Sequence, residues 1–148
     1  MSMWVVTRRI EAPVEKAFAA FTDFDLVSET ITGIKSFEVL TDGPFEKGTR
    51  FKETRLMGKK ERTEEMEISA FDPGKSYTIS ANSCGCEMHF DHRFRAEAGG
   101  TVFEMEGRMK AVSFFAKLTR PFWGLMSGWM RKCVNKDLDQ MIEMIEAS

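Results

Sequence analysis

The residues best suited to proton transfer or polar contact share strand faces with apolar side chains. Over 83–95, alternation places His92 on the same face as Cys86, Met88 and Phe90, while charged residues occupy the other face. An imidazole titrates at about pH 6.5, so His92 could transfer protons or contact a ligand at neutral pH. The alternative is a core histidine that is hydrogen-bonded to a neighbour.

A second polar group lies on the strand that begins near residue 48. If Phe51 points inward, Glu53, Arg55 and Met57 share its face. If Met66 points inward on the next strand, Glu64 and Arg62 lie on the same side. Buried charges are unfavourable unless they are paired, so these residues would either pair inside a cavity or orient a ligand. The alternative is a hairpin that projects beyond the sheet with both faces in water, as the lysines around it suggest.

The cysteines do not form a metal or nucleophile motif. The Cys84-x-Cys86 spacing lies outside the usual Cys-x2–4-Cys range, and only His92 of the nearby histidines shares its face. No base can be assigned to Cys86 or Cys133 as a nucleophile. The sequence therefore predicts no metal site, no catalytic residue and no cofactor.

These side chains require a sheet to position them. We expect a strand over 3–10, a helix opened by Pro13, and a short helix over 23–29. From 34 to 111, period-two segments cut by turn residues predict six antiparallel strands, because the connections are too short for parallel crossovers. Thr119 is the expected N-cap of a long helix, with Pro121 in its first turn, that ends near Glu146.

The fold class that follows is α+β. The apolar face of a seven-stranded sheet needs a cover, and the long C-terminal helix is the only element large enough. We expect one domain over 1–148, in which a curved antiparallel sheet wraps that helix. Two short helices follow the first strand. The space between sheet and helix is a pocket.

The composition limits the classes of molecule that we expect the protein to bind. A formal net charge of −2 and a pI near 5.8 argue against a nucleic-acid partner. The chain has 13 Phe and 11 Met, and flexible methionines suit an apolar cavity that repacks around its contents. A methionine-rich core without such a cavity is the alternative.

Disulfide, signal-peptide and membrane-span patterns indicate the cellular compartment in which a protein lies. Three cysteines at these spacings do not resemble a disulfide framework. The first residues lack the zones of a signal peptide, and no apolar run reaches the length of a membrane span. We therefore expect a cytoplasmic protein.

Five segments, in this order, resemble one known family. Residues 5–18 are similar to its first strand and Ala-Pro helix start, and Asp23 follows where the family often has an aspartate. Residues 48–51 match its Gly-Thr-x-Phe strand opening. Residues 66–75 match its strand and Asp-Pro corner, and 99–101 its Gly-Gly-Thr turn. The sequence resembles the START-like, or SRPBCC, superfamily (polyketide cyclase/dehydrase and lipid transport), which implies a helix-grip fold and a pocket for a hydrophobic ligand.

Alternation and the helical apolar face together predict the residues that line this pocket. The expected ligand-binding residues are Phe51, Glu53, Arg55, Met57, Met66, Tyr77, Cys86, Met88, Phe90, His92, Phe103, Met105, Phe122, Met126, Trp129, Met130 and Cys133.

Two functions fit this pocket. The first is non-catalytic binding or transport of a small hydrophobic molecule, such as a lipid, isoprenoid, aromatic or polyketide-like compound. The alternative is an enzyme of the polyketide cyclase/dehydratase type, in which His92 or Glu53 moves protons. A third hypothesis is a protein-interaction module. For the apolar stretch 114–130 we rank a pocket lid first, a homodimer contact second and membrane contact third.

Overall fold

Seven strands and three helices follow one another, in the predicted order, through the described part of the chain. The structure is a computed structural model that describes residues 2–57, 59–83, 86–111, 117–118 and 123–148. The strands are β1 (Ser2–Ile10), β2 (Ile34–Val39), β3 (Arg50–Met57), β4 (Lys60–Asp72), β5 (Ser76–Ser83), β6 (Cys86–Glu97) and β7 (Gly100–Ala111). The helices are α1 (Val14–Phe21), α2 (Phe24–Thr30) and α3 (Trp123–Ala147). The predicted α+β fold class is confirmed.

The two short helices begin where local sequence directs them. Pro13 precedes α1, and its fixed φ suits the start of a helix. The side chain of Asp23 accepts a hydrogen bond from the backbone N–H of Leu26 at 3.2 Å and so caps α2. The buried side of α1, including Phe18 and Phe21, packs into the core.

All seven strands form one antiparallel sheet in the order β1-β7-β6-β5-β4-β3-β2. Consecutive strands are neighbours except β1, which pairs with β7 at the opposite edge from β2. The chain must therefore cross from one edge to the other between β1 and β2, and α1 and α2 make that crossing. The turn between β6 and β7 uses Gly99 at φ 78°, a conformation that glycine adopts without strain.

The alternation of buried side chains follows the predicted faces. On β6, Cys86, Met88, His92 and Phe94 are buried, and their inward direction matches the parity of the sequence. The outward face carries ion pairs, such as the one that Arg108 Nε donates to Asp91 Oδ2 at 2.7 Å. One face of the sheet is thus apolar and the other is charged.

The long helix α3 is held mainly through its C-terminal half. Leu138, Met141, Ile142 and Ile145 are buried in the core. Toward the other end the side chain of Trp129 is half exposed. The earlier turns also contact the rest of the fold, since Ser127 Oγ donates to the backbone oxygen of Met3 in β1 at 2.9 Å and Met130 packs against the core. The predicted N-cap and first turn at 119 and 121 lie outside the described residues.

The sequence predicts that no apolar run is long enough to cross a membrane. None of the helices in the described ranges combines the length and the apolar character that a membrane span needs.

Candidate functional site

A cavity of about 560 Å³ lies between the inner face of the sheet and the helices α2 and α3. That volume falls within the usual range of small-molecule pockets. Its wall is mostly apolar, with a small group of charged side chains at one place. Three zones can be distinguished by chemistry.

The aromatic zone is built where β2, β3 and α2 meet. Phe24 of α2 contacts Phe37, Phe45 and Phe51, with ring centroids 4.9–5.1 Å apart. Phe45, from the loop before β3, also packs edge-to-face on Tyr77 at 4.9 Å. Offset and edge-to-face contacts at these distances are the favourable geometries of aromatic pairs. This zone therefore offers flat surfaces against which another ring can stack.

The methionine zone covers the central strands and the facing part of α3. The sulfur-bearing side chains in it come from three strands and the helix. Its members are Met66, Cys86, Met88, Met105, Met109, Met130, Cys133 and Met141. Because methionine has three rotatable bonds and a polarizable sulfur, this wall can adjust to the shape of its contents.

The charged zone centres on Arg55. Its Nε and Nη2 donate to Glu53 Oε1 at 3.0 and 2.7 Å, and its Nη1 donates to Asp137 Oδ2 of α3 at 2.7 Å. The side chains of Glu53 and Asp137 are only 14% and 18% exposed. The guanidinium thus ties the far end of β3 to the middle of α3.

Register explains why these pairs form along each strand. Glu53 lies opposite Glu64 and Arg55 lies opposite Arg62 in the β3–β4 pair. Like charges directly opposite each other are unfavourable. Each arginine instead pairs with the glutamate two residues away on its own strand, and the Nε of Arg62 is 3.1 Å from Glu64 Oε1. Asp137 adds a third carboxylate to the group.

Burial shifts the pKa values in this zone. Burial raises the pKa of Asp137, although the neighbouring Arg55 acts in the opposite direction. Burial lowers the pKa of Arg55, but the attraction of Glu53 and Asp137 outweighs it and the net pKa is raised. Arg55 therefore stays charged throughout the physiological range.

His92 and Tyr77 form a stacked pair between the aromatic and methionine zones. Their ring centroids are 4.3 Å apart and their planes differ by 14°. His92 Nδ1 lies 3.0 Å from the backbone oxygen of Phe90, which can only accept, so Nδ1 carries the proton. Burial lowers the pKa of His92 to about 4. At neutral pH the imidazole is thus uncharged, with the lone pair on Nε2.

Most of the residues predicted to bind a ligand lie on the cavity wall. Those whose side chains line it are Phe51, Glu53, Arg55, Met66, Tyr77, Cys86, Met88, Phe90, His92, Met105, Trp129, Met130 and Cys133. Phe122 and the side chains of Met57 and Met126 lie outside the described part of the chain. That the wall residues bind a ligand stays a prediction. The alternative of a hairpin that is wet on both sides does not describe Glu53, whose side chain is largely buried.

Phe103 was expected on the cavity wall but lies in the packed core. It is fully buried and stacks on Phe21 of α1 at 4.9 Å. Its inward direction was predicted, yet α1 covers this end of the sheet and fills the space above it. Direction along a strand does not reveal which inward positions another element covers.

Several wall residues were missed by the sequence reasoning. Asp137 is one, although it is four residues after Cys133 and so lies on the same helical face. Phe37 is another, because a register irregularity in β2 between Ile34 and Ser36 changes the parity along that strand. Phe45 lies in a loop, where no periodicity reports direction.

Among the described residues, the cysteines and histidines on and near β6 do not form a metal-binding cluster. Within the described ranges, no three His, Cys, Asp or Glu side chains come together as ligands. His89 faces away from His92, and its Nδ1 is 2.7 Å from Ser80 Oγ. Cys84 lies outside the described residues.

The sheet that grips a long helix around an internal cavity defines a helix-grip, START-like protein. Residues 3–146 match the sequence profile of the family described as polyketide cyclase/dehydrase and lipid transport. The chain belongs to this family, as the resemblance of its motifs predicted. A search of curated proteins by sequence gives no significant match.

Solved structures share this fold at low sequence identity. TTHA0849 from Thermus thermophilus is 18% identical, with a TM-score of 0.76 over 97% of this chain and 96% of that one. Ara h 8.0201 is 16% identical, with a TM-score of 0.71 over 98% and 97%. The di-domain ARO/CYC StfQ from the steffimycin biosynthetic pathway is 12% identical, with a TM-score of 0.71 over 97% of this chain and 44% of that one.

Proposed function

We propose that this protein binds or carries a small hydrophobic molecule in its internal cavity. The observation that supports this most strongly is a cavity of about 560 Å³ with a mostly apolar wall and one compact charged zone. That composition is typical of small-molecule sites, in which apolar contact provides affinity and a few polar groups fix orientation. The family description, which includes lipid transport, agrees with this proposal.

Each zone has a part in this binding. The rings of Phe24, Phe37 and Phe51 suit a planar or aromatic body by stacking. The methionine zone accommodates the remaining apolar surface, which contributes about 25 cal/mol per Å² removed from water. The charged zone around Arg55 orients the polar end of the molecule.

A neutral fluorescent probe tests the proposal. We expect N-phenyl-1-naphthylamine to bind saturably, with increased emission as it leaves water. Cys133 lies on the wall, so the phenyl ring of Cys133→Phe would occupy space in the cavity. The affinity for the probe should therefore fall about tenfold, equivalent to ~1.4 kcal/mol.

The matched control is Cys133→Ser, which keeps the size of the side chain and should bind the probe nearly as the natural protein does. Circular dichroism verifies that both variants fold. A probe that does not saturate, or that binds Cys133→Phe unchanged, contradicts an internal binding site.

The second candidate is an enzyme of the polyketide cyclase/dehydratase type that uses the same cavity. The family description and the fold shared with the ARO/CYC StfQ support it. So does the neutral, stacked His92, whose Nε2 lone pair can accept a proton from a substrate. A proton acceptor of such low pKa is a weak base at neutral pH, which is why we rank binding first.

Turnover of a reactive poly-β-ketone separates the two candidates. If His92 accepts a proton, His92→Gln should abolish formation of cyclised product while probe binding remains. If the natural protein binds the chain but forms no more product than buffer does, the enzyme proposal is wrong.

The remaining proposals concern location and partners. The three cysteines have spacings unlike those of a disulfide framework, which supports a reducing compartment such as the cytoplasm. The net charge of −2 gives no support for a nucleic-acid partner. Homodimer formation and membrane contact through the region of Trp129 stay predictions, to be tested by light scattering and vesicle flotation.

A further inference from the structure

The charges on the cavity wall are unequal. Its described residues include three carboxylates (Glu53, Glu64 and Asp137) and two guanidinium groups (Arg55 and Arg62). His92 adds no charge at neutral pH, because burial lowers its pKa to about 4. With these carboxyl and guanidinium groups ionised, the described part of the wall therefore has three negative and two positive charges.

Both cations are already engaged by these carboxylates. Arg55 directs three N–H groups to Glu53 and Asp137 at 2.7–3.0 Å. The Nε of Arg62 is 3.1 Å from Glu64 Oε1. An anionic ligand group that approached either guanidinium would lie beside the carboxylates already paired with it, in a partly desolvated place. Like charges at such distances repel strongly.

Among the described polar atoms of the wall, several acceptors receive no hydrogen bond from a described residue. Each of the three carboxylates uses one oxygen in its ion pair, and no hydrogen bond from a described residue reaches Glu53 Oε2 or Asp137 Oδ1. His92 Nε2 is also an acceptor, since Nδ1 faces the backbone oxygen of Phe90. The neutral hydroxyl of Tyr77, whose ring stacks on His92, donates to the backbone oxygen of Phe21.

We infer that the ligand of this cavity is an apolar, aromatic-compatible molecule whose polar end is a hydrogen-bond donor, preferentially a protonated amine, and not a carboxylate or phosphate. This inference rests on the proposed function, because it names the ligand class of the same cavity. An ammonium group matches both the surplus negative charge and the acceptor oxygens. A hydroxyl group matches the acceptors alone.

Three probes with one body test this directly. They are 1-naphthylmethylamine, 1-naphthalenemethanol and 1-naphthoate, each measured at pH 7.4 by displacement of bound N-phenyl-1-naphthylamine. We expect the amine to bind most tightly, the alcohol next, and the carboxylate about tenfold or more weaker than the amine, as electrostatic complementarity requires.

Variants of the charged zone provide the second measurement. Asp137→Asn brings the charge of the described wall to zero, so the ratio of carboxylate Kd to amine Kd should fall about tenfold. Glu64→Gln, whose carboxylate is more exposed, tests the same change if Asp137→Asn does not fold. The matched control is Glu143→Gln, an exposed position on the same helix that is absent from the wall, which should leave the ratio unchanged.

The outcomes separate the two proposals. If the carboxylate binds as tightly as the amine, or if none of the three displaces N-phenyl-1-naphthylamine, the donor inference is overturned while the cavity remains a binding site. If N-phenyl-1-naphthylamine itself does not bind, the proposed function fails and the inference fails with it. If Glu143→Gln lowers the ratio of carboxylate Kd to amine Kd as much as Asp137→Asn does, the inference is also overturned. The net charge of the protein, and not the charged zone, would then determine that ratio.

Discussion

His92 connects the chemistry of the cavity wall to the stability of the fold. The unfolded chain can protonate this imidazole at its ordinary pKa of 6.5, whereas burial lowers the folded pKa to about 4. Between these values the unfolded state binds more protons than the folded state. Stability therefore rises with pH in that window and is lost as pH falls from about 6.5 toward 4.

The pH dependence can be measured residue by residue. From pH 7.5 to pH 5, His92 should lower the free energy of unfolding by about 2 kcal/mol, as proton linkage between the two pKa values requires. Urea unfolding at the two pH values measures this difference. In His92→Gln the free energy of unfolding should no longer fall by this amount between pH 7.5 and pH 5. The control His89→Gln alters the histidine on the opposite face of β6 and should keep the dependence. An unchanged slope in His92→Gln would show that the imidazole is not held neutral.

At the scale of elements, β1 and β7 are joined by a close contact between a ring and a glycine. Trp4 pairs with Gly107 across the two strands, and its ring is buried. A Cβ atom at position 107 would lie 2.5 Å from Trp4 Cε2. Only glycine lets the indole lie flat on the neighbouring strand at this distance.

Two glycine substitutions should therefore have opposite signs. Gly107→Ala should destabilise the fold by about 1–3 kcal/mol, because the indole or the strand must move. Gly128→Ala, at an exposed position of α3 where no described atom outside the helix backbone lies within 4 Å of the added Cβ, should stabilise the fold by up to ~1 kcal/mol through helix propensity. Urea unfolding of both variants checks this. A neutral Gly107→Ala would contradict the close packing of Trp4.

Local sequence patterns predicted the strands of this fold but not the contacts between distant elements. Turn residues and alternation predicted seven antiparallel strands and the inward direction of Met88 and His92, because both signals are local. The pairing of Arg55 with Asp137 was not predicted, since the two residues are 82 positions apart and only the completed fold brings them together. Phe37 was missed because the register irregularity in β2 is a feature of the backbone, and no residue type in that segment indicates it.

At the scale of the whole molecule, a bound ligand should stabilise the fold. A ligand in the cavity of about 560 Å³ would add dispersion contacts to the side chains of its wall. A ligand that occupies it only in the folded state shifts the folding equilibrium by mass action.

This shift can be read from thermal unfolding. At free probe concentrations of ten times its Kd, the tightest naphthyl probe should add about 1.4 kcal/mol. For a chain of this size that corresponds to a Tm increase of ~3–6 °C. At the same concentration Cys133→Phe should show a smaller increase. Equal increases in both proteins would place the probe outside the cavity.

The pairing of β1 with β7 has a consequence for the order in which the chain can fold during its synthesis. The hydroxyl of Thr101 donates to the backbone oxygen of Ala12 at 2.8 Å across 89 positions. Ribosomes add about 5–20 residues per second, so β1 waits on the order of ten seconds for β7, its neighbour in the described sheet. During that interval the apolar side of β1, with Trp4 and Val6, has no sheet to cover it. β1 thus leaves the ribosome before the other strands of this sheet and is among the last of them to be fixed in place.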